Sequence, residues 1–248
     1  MLYPHDGQLF KAKDRKYSEL IFFVHFYQGN KRALARHIKC VNALGFDAFA
    51  FNLQKLNLRH PIPFTSDGRM GLKHVFAEQI EQLLNLLPQQ KIVFAFSNPA
   101  ASAIEALARR KCYDIRALIC DSGPSARLGF SALRLGAKYF NEKKYRKSLF
   151  VTALIWCWSP FFHRDLNQHL SQFPQDFPVL SIRGWRDELI SPADIDLVFE
   201  PQKHLNWKKL SLPEARHLDG LKNSQDEYLN GLKSFLESLS LKVLTWGR

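Results

Sequence analysis

Residues 91–110 read KIVFAFSNPAASAIEALARR, an apolar run that passes directly into a helical pattern. The first six residues predict a buried strand, and the helix is expected to begin at once at Ser97. A serine at such a corner projects its hydroxyl above the sheet, beside the free N–H groups of the helix N-terminus. Ser97 is therefore a candidate nucleophile. The alternative is that it only caps the helix, a position that serine favours.

The rest of the chain alternates apolar strands with amphipathic helices. Further strands are predicted at residues 20–26, 47–53, 116–120, 178–184 and 207–212, and further helices at 30–44, 71–87, from 192 onwards and at 224–239. Strands separated by helices require crossover connections, so the predicted fold class is α/β, with a mainly parallel central sheet flanked by helices. Ligands of such sheets bind beyond the carboxyl ends of the strands.

Two further polar residues each follow a predicted strand. Asp187 comes after the strand at 178–184, and His217 comes after the last strand. Because parallel strands end at the same sheet edge, both are expected to lie near Ser97. A histidine can take the proton of a serine hydroxyl during attack, and a carboxylate can orient the imidazole and stabilise its protonated form. Asp121 also ends a strand and is the alternative acid.

The order serine, aspartate, histidine, each after a strand, resembles the catalytic triad of the α/β-hydrolase family, and the resemblance covers about residues 18 to 240. The family's G-x-S-x-G corner reads AFSNP at residues 95–99, so both glycines are replaced. Ala95 is still small. Pro99 falls in the first helical turn, where its missing N–H has no partner to lose.

The loops around the acid and the histidine extend the resemblance. The segment IRGWRDELISP at residues 182–192 is similar to the family's acid loop, which favours Asp187 over Asp121. His217 lies in EARHLDG at residues 214–220, just before the last helix, as the family's histidine does.

The resemblance implies a serine hydrolase that cleaves a carboxylic ester, such as an acyl or lipid ester or a thioester, through an acyl-enzyme intermediate. Ser97 would be the nucleophile, His217 the general base and Asp187 the residue that orients the histidine. The backbone N–H groups of Asn98 and Phe26 would form the oxyanion hole. If an alcohol instead of water resolved the intermediate, the protein would be an acyltransferase.

Phe26 lies in His25-Phe-Tyr-Gln-Gly29, where the family keeps a His-Gly loop, and it replaces the usual glycine. His25 is interpreted either as an organiser of this loop or as a packed histidine at a strand end. Candidate substrate contacts come from this loop, from the acid loop and from a long insertion: His25, Tyr27, Trp156, Trp158 and Trp185.

Residues 125–176 interrupt the alternation with a long, aromatic-rich and basic segment that is predicted to be helical. The resemblance implies a helical lid here, inserted before the penultimate strand, and a hydrolase core formed by residues 1–124 and 177–248. Such a lid excludes water and accepts an apolar group, and its cations favour an ester with an anionic head. For Trp156 and Trp158, the alternative is packing within the lid itself.

The length and composition predict a single domain. The chain has 248 residues, 46% of them hydrophobic, which suits one domain with a full core.

The charge narrows the classes of partner. The net charge of +12 attracts anionic partners, with an anionic lipid or membrane surface as the candidate, and a merely solvated basic surface is the alternative. The sequence carries no zinc spacing, RNP-like strand or basic heptad helix, so no nucleic acid partner is predicted. It also carries no metal-ligand spacing and no Gly-rich phosphate loop, so no metal and no cofactor are predicted.

The cysteines and the apolar runs predict the compartment. The cysteines at positions 40, 112, 120 and 157 show no CxxC spacing, which favours a reducing compartment. No signal peptide is visible at the start of the sequence, and the longest apolar stretch is too short to span a bilayer. We therefore expect a cytoplasmic protein.

A different class of function also fits parts of the sequence. It is a catalytically silent α/β-hydrolase fold that binds an anionic lipid or a protein partner. The missing corner glycines and the basic insertion favour it. In such a protein we expect His217 to lie out of reach of Ser97, so the geometry of the site discriminates between the two functions.

Overall fold

The computed structural model describes residues 3–54, 64–139 and 162–239. Within these ranges the strands are β1 (Gln8–Phe10), β2 (Leu20–Val24), β3 (Asp47–Ala50), β4 (Lys91–Phe96), β5 (Ile115–Asp121), β6 (Pro178–Gly184) and β7 (Asn206–Leu212). The α-helices are α1 (Ala35–Leu44), α2 (Leu72–Asn85), α3 (Ala100–Arg109), α4 (Leu128–Tyr139), α5 (Phe162–Leu170), α6 (Pro192–Phe199), α7 (Gly220–Asn223) and α8 (Gln225–Leu239). Short 3-10 helices lie at Pro4–Asp6 and Lys31–Leu34.

The strands form one sheet in the order β1-β3-β2-β4-β5-β6-β7. Neighbouring strands are parallel, except that β1 pairs with β3 in the antiparallel sense. Every residue of β2 and β4 is buried, which is why both strands are almost continuously apolar. The prediction of an α/β fold with a mainly parallel central sheet is therefore confirmed.

Two apolar cores lie on opposite faces of the sheet, because alternate side chains of a strand point to opposite sides. In β2, Phe22 packs into the core under α2 and α3, whereas Phe23 packs into the core under α1 and α8. The helices thus cover both faces, and the carboxyl ends of the parallel strands are left to form a site.

The ends of several elements differ from the prediction. β2 ends at Val24 instead of residue 26, and β3 ends at Ala50 instead of residue 53. The chain leaves the sheet early at these two points because it turns into loops at the sheet edge. The strand β1 was not predicted, since three residues are too few to show an alternating pattern.

The insertion between β5 and β6 contains α4 and α5. Leu166 and Leu170 of α5 are fully buried in the core that α3 also lines. The lid and the boundaries of the insertion at residues 125 and 176 stay predictions. Trp156 and Trp158 lie outside the described residues. No helix in the three described ranges has the length and apolar character needed to cross a bilayer, and the described cysteines at positions 40, 112 and 120 are free thiols.

Candidate active site

Ser97 lies on a sharp turn between β4 and α3. Its φ is 57°, in the left-handed region that residues with a Cβ disfavour. Its N–H donates to the carbonyl of Asp121 over 2.8 Å, which ties the turn to the end of β5. Gly123 packs so closely that an added Cβ would lie 2.6 Å from the Ser97 carbonyl carbon. The surroundings thus hold a conformation that the serine alone would avoid.

The expectation that the helix begins at Ser97 is wrong by three residues, because α3 begins at Ala100. The N-cap position belongs to Pro99, which makes no side-chain capping bond. The Ser97 hydroxyl faces a histidine instead, so the interpretation of Ser97 as a simple helix cap is also wrong.

A continuous line of hydrogen bonds runs from Ser97 to Asp187. The Ser97 Oγ lies 3.1 Å from Nε2 of His217, and Nδ1 of the same ring lies 2.7 Å from Oδ2 of Asp187. Since the carboxylate can only accept, the Nδ1–H donates to it and Nε2 is left to accept the serine proton. The three predicted residues therefore meet at one sheet edge, and each is largely buried.

Asp187 is fixed by its own loop. Its Oδ1 accepts the N–H groups of Leu189 and Ile190, each over 2.8 Å, which leaves Oδ2 directed at His217. Gly184 lets this loop approach the histidine loop, because a Cβ there would overlap the carbonyl oxygen of Ala215. The carboxylate is thus held without depending on the imidazole for its orientation.

The alternative acid, Asp121, makes no hydrogen bond to His217. Its two side-chain oxygens accept the hydroxyls of Ser122 and Tyr228, over 2.8 and 2.6 Å. Burial raises the pKa of Asp121 to about 6, against the opposing effect of these two hydrogen bonds. Of the two acids considered from the sequence, Asp187 is the one that contacts the imidazole.

His25 organises the loop that follows β2. The ring is buried, its Nε2 accepts the N–H of Leu53 over 2.9 Å, and its Nδ1 lies 2.7 Å from the carbonyl of Phe26. Burial lowers the pKa of His25, partly offset by the hydrogen bond to that carbonyl, so the ring is neutral and its Nδ1–H donates. Both ring nitrogens are therefore bound to backbone, as in the loop-organising interpretation, and the contact between His25 and substrate stays a prediction.

Neither a protein-family model nor a curated protein matches the sequence. Solved structures match nearly the whole chain. The Pyrococcus furiosus esterase Pf2001 is 16% identical, with a TM-score of 0.67, and the match covers 94% of this chain and 90% of that one. A Paleococcus ferrophilus monoacylglycerol lipase is 16% identical, with a TM-score of 0.65 and coverage of 96% and 99%. MGS-M2, an α/β hydrolase from a Medee basin deep-sea metagenome library, is 12% identical, with a TM-score of 0.62 and coverage of 96% and 96%.

This chain has the α/β-hydrolase fold. Ser97, Asp187 and His217 follow the carboxyl ends of β4, β6 and β7 of this fold. At identities of 12–16% the likeness shows the fold alone.

The two backbone N–H groups that were predicted to form an oxyanion hole have no partner among the described residues. The N–H groups of Phe26 and Asn98 make no hydrogen bond to any residue that the structure describes. The Asn98 side chain is occupied, because its Oδ1 accepts the N–H of Ser125 over 3.1 Å. The His25 bond and a second bond from Gly29 both fix the Phe26 carbonyl, and with it the course of this loop.

The remaining candidate substrate contacts are placed differently from one another. Tyr27 is half-buried and packs against the core under α2 and α3. Trp185 is 63% exposed, while its backbone N–H donates to Leu212. Among the described residues, no group of three or more His, Cys, Asp and Glu side chains is arranged to hold a metal ion.

Sequence reasoning missed the residues that support the triad from behind. Ser122 Oγ accepts the N–H of Leu218, next to His217, across 96 positions of the chain. Gly123 packs on Ser97, and Tyr228 of α8 binds Asp121. The Asp-Ser-Gly-Pro run after β5 signalled a turn at the sheet edge, but Tyr228 showed only the apolar spacing of an ordinary helix.

Proposed function

We propose that the protein is a serine hydrolase that cleaves a carboxylic ester through a covalent acyl-enzyme intermediate. One observation carries the proposal: the line of hydrogen bonds from Ser97 through His217 to Asp187, at 3.1 and 2.7 Å. A protein that only binds a partner would not require His217 and Asp187 to be aligned with Ser97, whose φ is positive. The neighbours named esterase and lipase agree with this class of reaction.

In the first step, Ser97 Oγ attacks the ester carbonyl while its proton passes to Nε2 of His217. Asp187 stabilises the imidazolium that forms, through the bond to Nδ1–H. The tetrahedral intermediate then collapses, the C–O bond to the leaving alcohol breaks, and His217 returns the proton to that oxygen.

In the second step, a water molecule attacks the acyl-enzyme and gives its proton to His217. Collapse of the second tetrahedral intermediate releases the acid and returns the proton to Ser97 Oγ. The N–H groups of Phe26 and Asn98 stabilise the oxyanion in both steps. One donor of this kind contributes roughly 3 kcal/mol, or a few hundredfold in rate.

We further propose that the ester has an apolar acyl chain and an anionic head, with an anionic lipid as the natural form. Asn98 anchors Ser125 beside the serine, so α4 starts next to the site three residues later. Phe130 on α4 is 61% exposed, and Arg127 and Arg134 of the same segment are also exposed, each within 3.7 Å of the one buried carboxylate of Asp194, so the pair keeps a net positive charge. An apolar face edged by cations fits an acyl chain with a negative head.

A fluorophosphonate probe tests the reaction class. We expect wild-type protein to be labelled and Ser97→Ala to lose labelling completely. Ser102→Ala, which changes another buried serine on α3, is the matched control and should be labelled like the wild type. His217→Gln should be labelled at least about a thousandfold more slowly. A folded wild-type protein that takes no label would contradict the proposal and favour a silent fold.

A series of p-nitrophenyl and glycerol esters tests the substrate class. We expect kcat/KM to rise with acyl length from two to about ten carbons and to rise again for an anionic over a neutral head. Highest activity on short neutral acetates would contradict this part of the proposal. Product analysis with added alcohol separates hydrolysis from acyl transfer.

A further inference from the structure

Asp121 lies behind the candidate triad, at the end of the strand beside the serine turn. Its backbone carbonyl accepts the N–H of Ser97 over 2.8 Å, so it supports the turn directly. Its carboxylate is buried and faces His37 of α1 and Tyr228 of α8. Both oxygens accept hydroxyl protons, one from Ser122 and one from Tyr228.

The Ser122 hydroxyl connects Asp121 to the histidine loop. Because its hydrogen is committed to the carboxylate, its oxygen lone pairs are free to accept, and they accept the N–H of Leu218 over 3.1 Å. This N–H belongs to the peptide that directly follows His217. Leu218 has φ 63°, a conformation that a leucine disfavours, so the bond holds the backbone in a state it would otherwise leave.

The carboxylate of Asp121 also acts on its neighbours by charge. The groups that face it are His37 of α1 at 4.0 Å, Tyr228 of α8, and His217 and Asp187 from the two site loops, while Cys120 precedes it on β5. Burial lowers the pKa of His37 to about 4, so His37 is neutral at pH 7. Above about pH 6 Asp121 is ionised and carries a negative charge behind the histidine loop.

We propose that Asp121 is a positioning residue for His217: through Ser122 it fixes the peptide after the histidine, and its carboxylate supplies a second negative charge that favours the protonated imidazole. The catalytic meaning of this role rests on the function proposed above, but the physical interactions do not. Asp187 contacts the imidazole directly, whereas Asp121 acts from behind the loop.

The charge is tested by following the titration of His217 in protein labelled with ¹³C-histidine, with His217→Gln used to assign the resonance. We expect Asp121→Asn to move the titration midpoint of His217 down by about half a pH unit to one unit. Asp226→Asn removes an exposed carboxylate on α8 and should leave the midpoint unchanged. If Asp121→Asn does not fold, Asp121→Ser removes the same charge and keeps a partner for Tyr228. An unchanged midpoint in the folded variant would overturn the second-charge role.

The hydrogen-bond link is tested by amide exchange at Leu218. We expect Ser122→Ala to speed exchange of this N–H about tenfold, because one hydrogen bond is lost, and Asp226→Asn to have no effect. Unchanged exchange in Ser122→Ala would overturn the link through Ser122. Neither the His217 titration nor the Leu218 exchange requires catalytic turnover. Failure of the proposed hydrolase function would therefore be seen separately, because the fluorophosphonate probe would not label Ser97. Where ester turnover is measurable, Asp121→Asn should lower kcat three- to thirtyfold and leave KM unchanged.

Discussion

At the scale of single residues, Ser97 combines a reactive position with an unfavourable backbone. Holding a residue with a Cβ at φ 57° costs roughly 1–2 kcal/mol, and glycine avoids that cost. We expect the free energy of unfolding of Ser97→Gly to exceed that of Ser97→Ala by about 1 kcal/mol, measured by urea denaturation. Neither variant has a nucleophile, so the comparison isolates the backbone.

Ser102 supplies the matched control for that comparison. It lies inside α3, where the backbone is helical and glycine is less favourable than alanine by about 1 kcal/mol. Ser102→Gly should therefore be less stable than Ser102→Ala, the opposite order from position 97. The same order at both positions would mean that the turn carries no local strain.

Some residues of the candidate site could be predicted from the sequence and others could not. Ser97, Asp187 and His217 could be selected because each follows an apolar strand, and parallel strands end at one edge. For His25 the sequence left two roles open, and the role of Asp121 could not be predicted, because both depend on which atoms meet across the chain. The distance from Ser122 to Leu218 spans 96 positions, and no local pattern encodes such a contact.

At the scale of elements, a buried ion cluster joins α2, α3 and α5. Glu105 of α3 is fully buried, Lys73 Nζ lies 3.3 Å from Glu105 and 3.2 Å from Asp165, and Arg109 also pairs with Glu105. Burial alone would raise the pKa of Glu105, but the hydrogen bond from His74 and the charges of Lys73 and Arg109 lower it to about 2. The carboxylate is therefore ionised across the range in which the protein would be studied.

We expect Glu105→Gln to lower the free energy of unfolding by about 3–5 kcal/mol at pH 7, because it leaves buried cations without their shared carboxylate. Urea denaturation measures the change. Glu227→Gln, at an exposed position on α8, should change it by less than about 0.5 kcal/mol. An equal effect of the two substitutions would show that the cluster does not hold these helices together.

Elements were predictable where burial on both faces left a continuous apolar run. β4 has the predicted ends for this reason, and β6 has them too although Ser181 and Arg183 interrupt its apolar run. The start of α3 was misplaced because Asn98 and Pro99 are compatible with a helix, while the turn needs three residues to redirect the chain after Ser97. The short helix α7 was missed because Gly220–Asn223 is only one turn long.

At the scale of the whole molecule, buried titratable groups make stability depend on pH in opposite directions. Burial raises the pKa of Asp121 from its ordinary 3.8 to about 6, so its contribution to stability is fully present below about pH 4 and is lost as the pH rises through 6. Burial lowers the pKa of His37 and of His169 to about 4, so their contributions are present above about pH 6.5 and are lost as the pH falls through 4.

The variant Asp121→Asn separates the pH-dependent stability contribution of Asp121 from that of the buried His169. The free energy of unfolding of the wild type minus that of the variant should fall by roughly 2–3 kcal/mol between about pH 4 and pH 7, since His169, which does not face Asp121, is common to both proteins and cancels. Urea denaturation at several pH values measures this difference. A difference that stays constant across the range would show that Asp121 titrates alike in the folded and unfolded states.

The two borders of the described sheet also bear on how the molecule behaves at high concentration. An open strand border offers unpaired N–H and C=O groups to which another chain can add, which is a common route to aggregation. On one side β1 limits that risk by being only three residues long, and on the other β7 carries the exposed lysines Lys208 and Lys209. Lys209 is paired with Asp196, so the charge of Lys208 in particular disfavours a second copy laid alongside, and replacing Lys208 with valine or threonine would favour growth into fibrous assemblies.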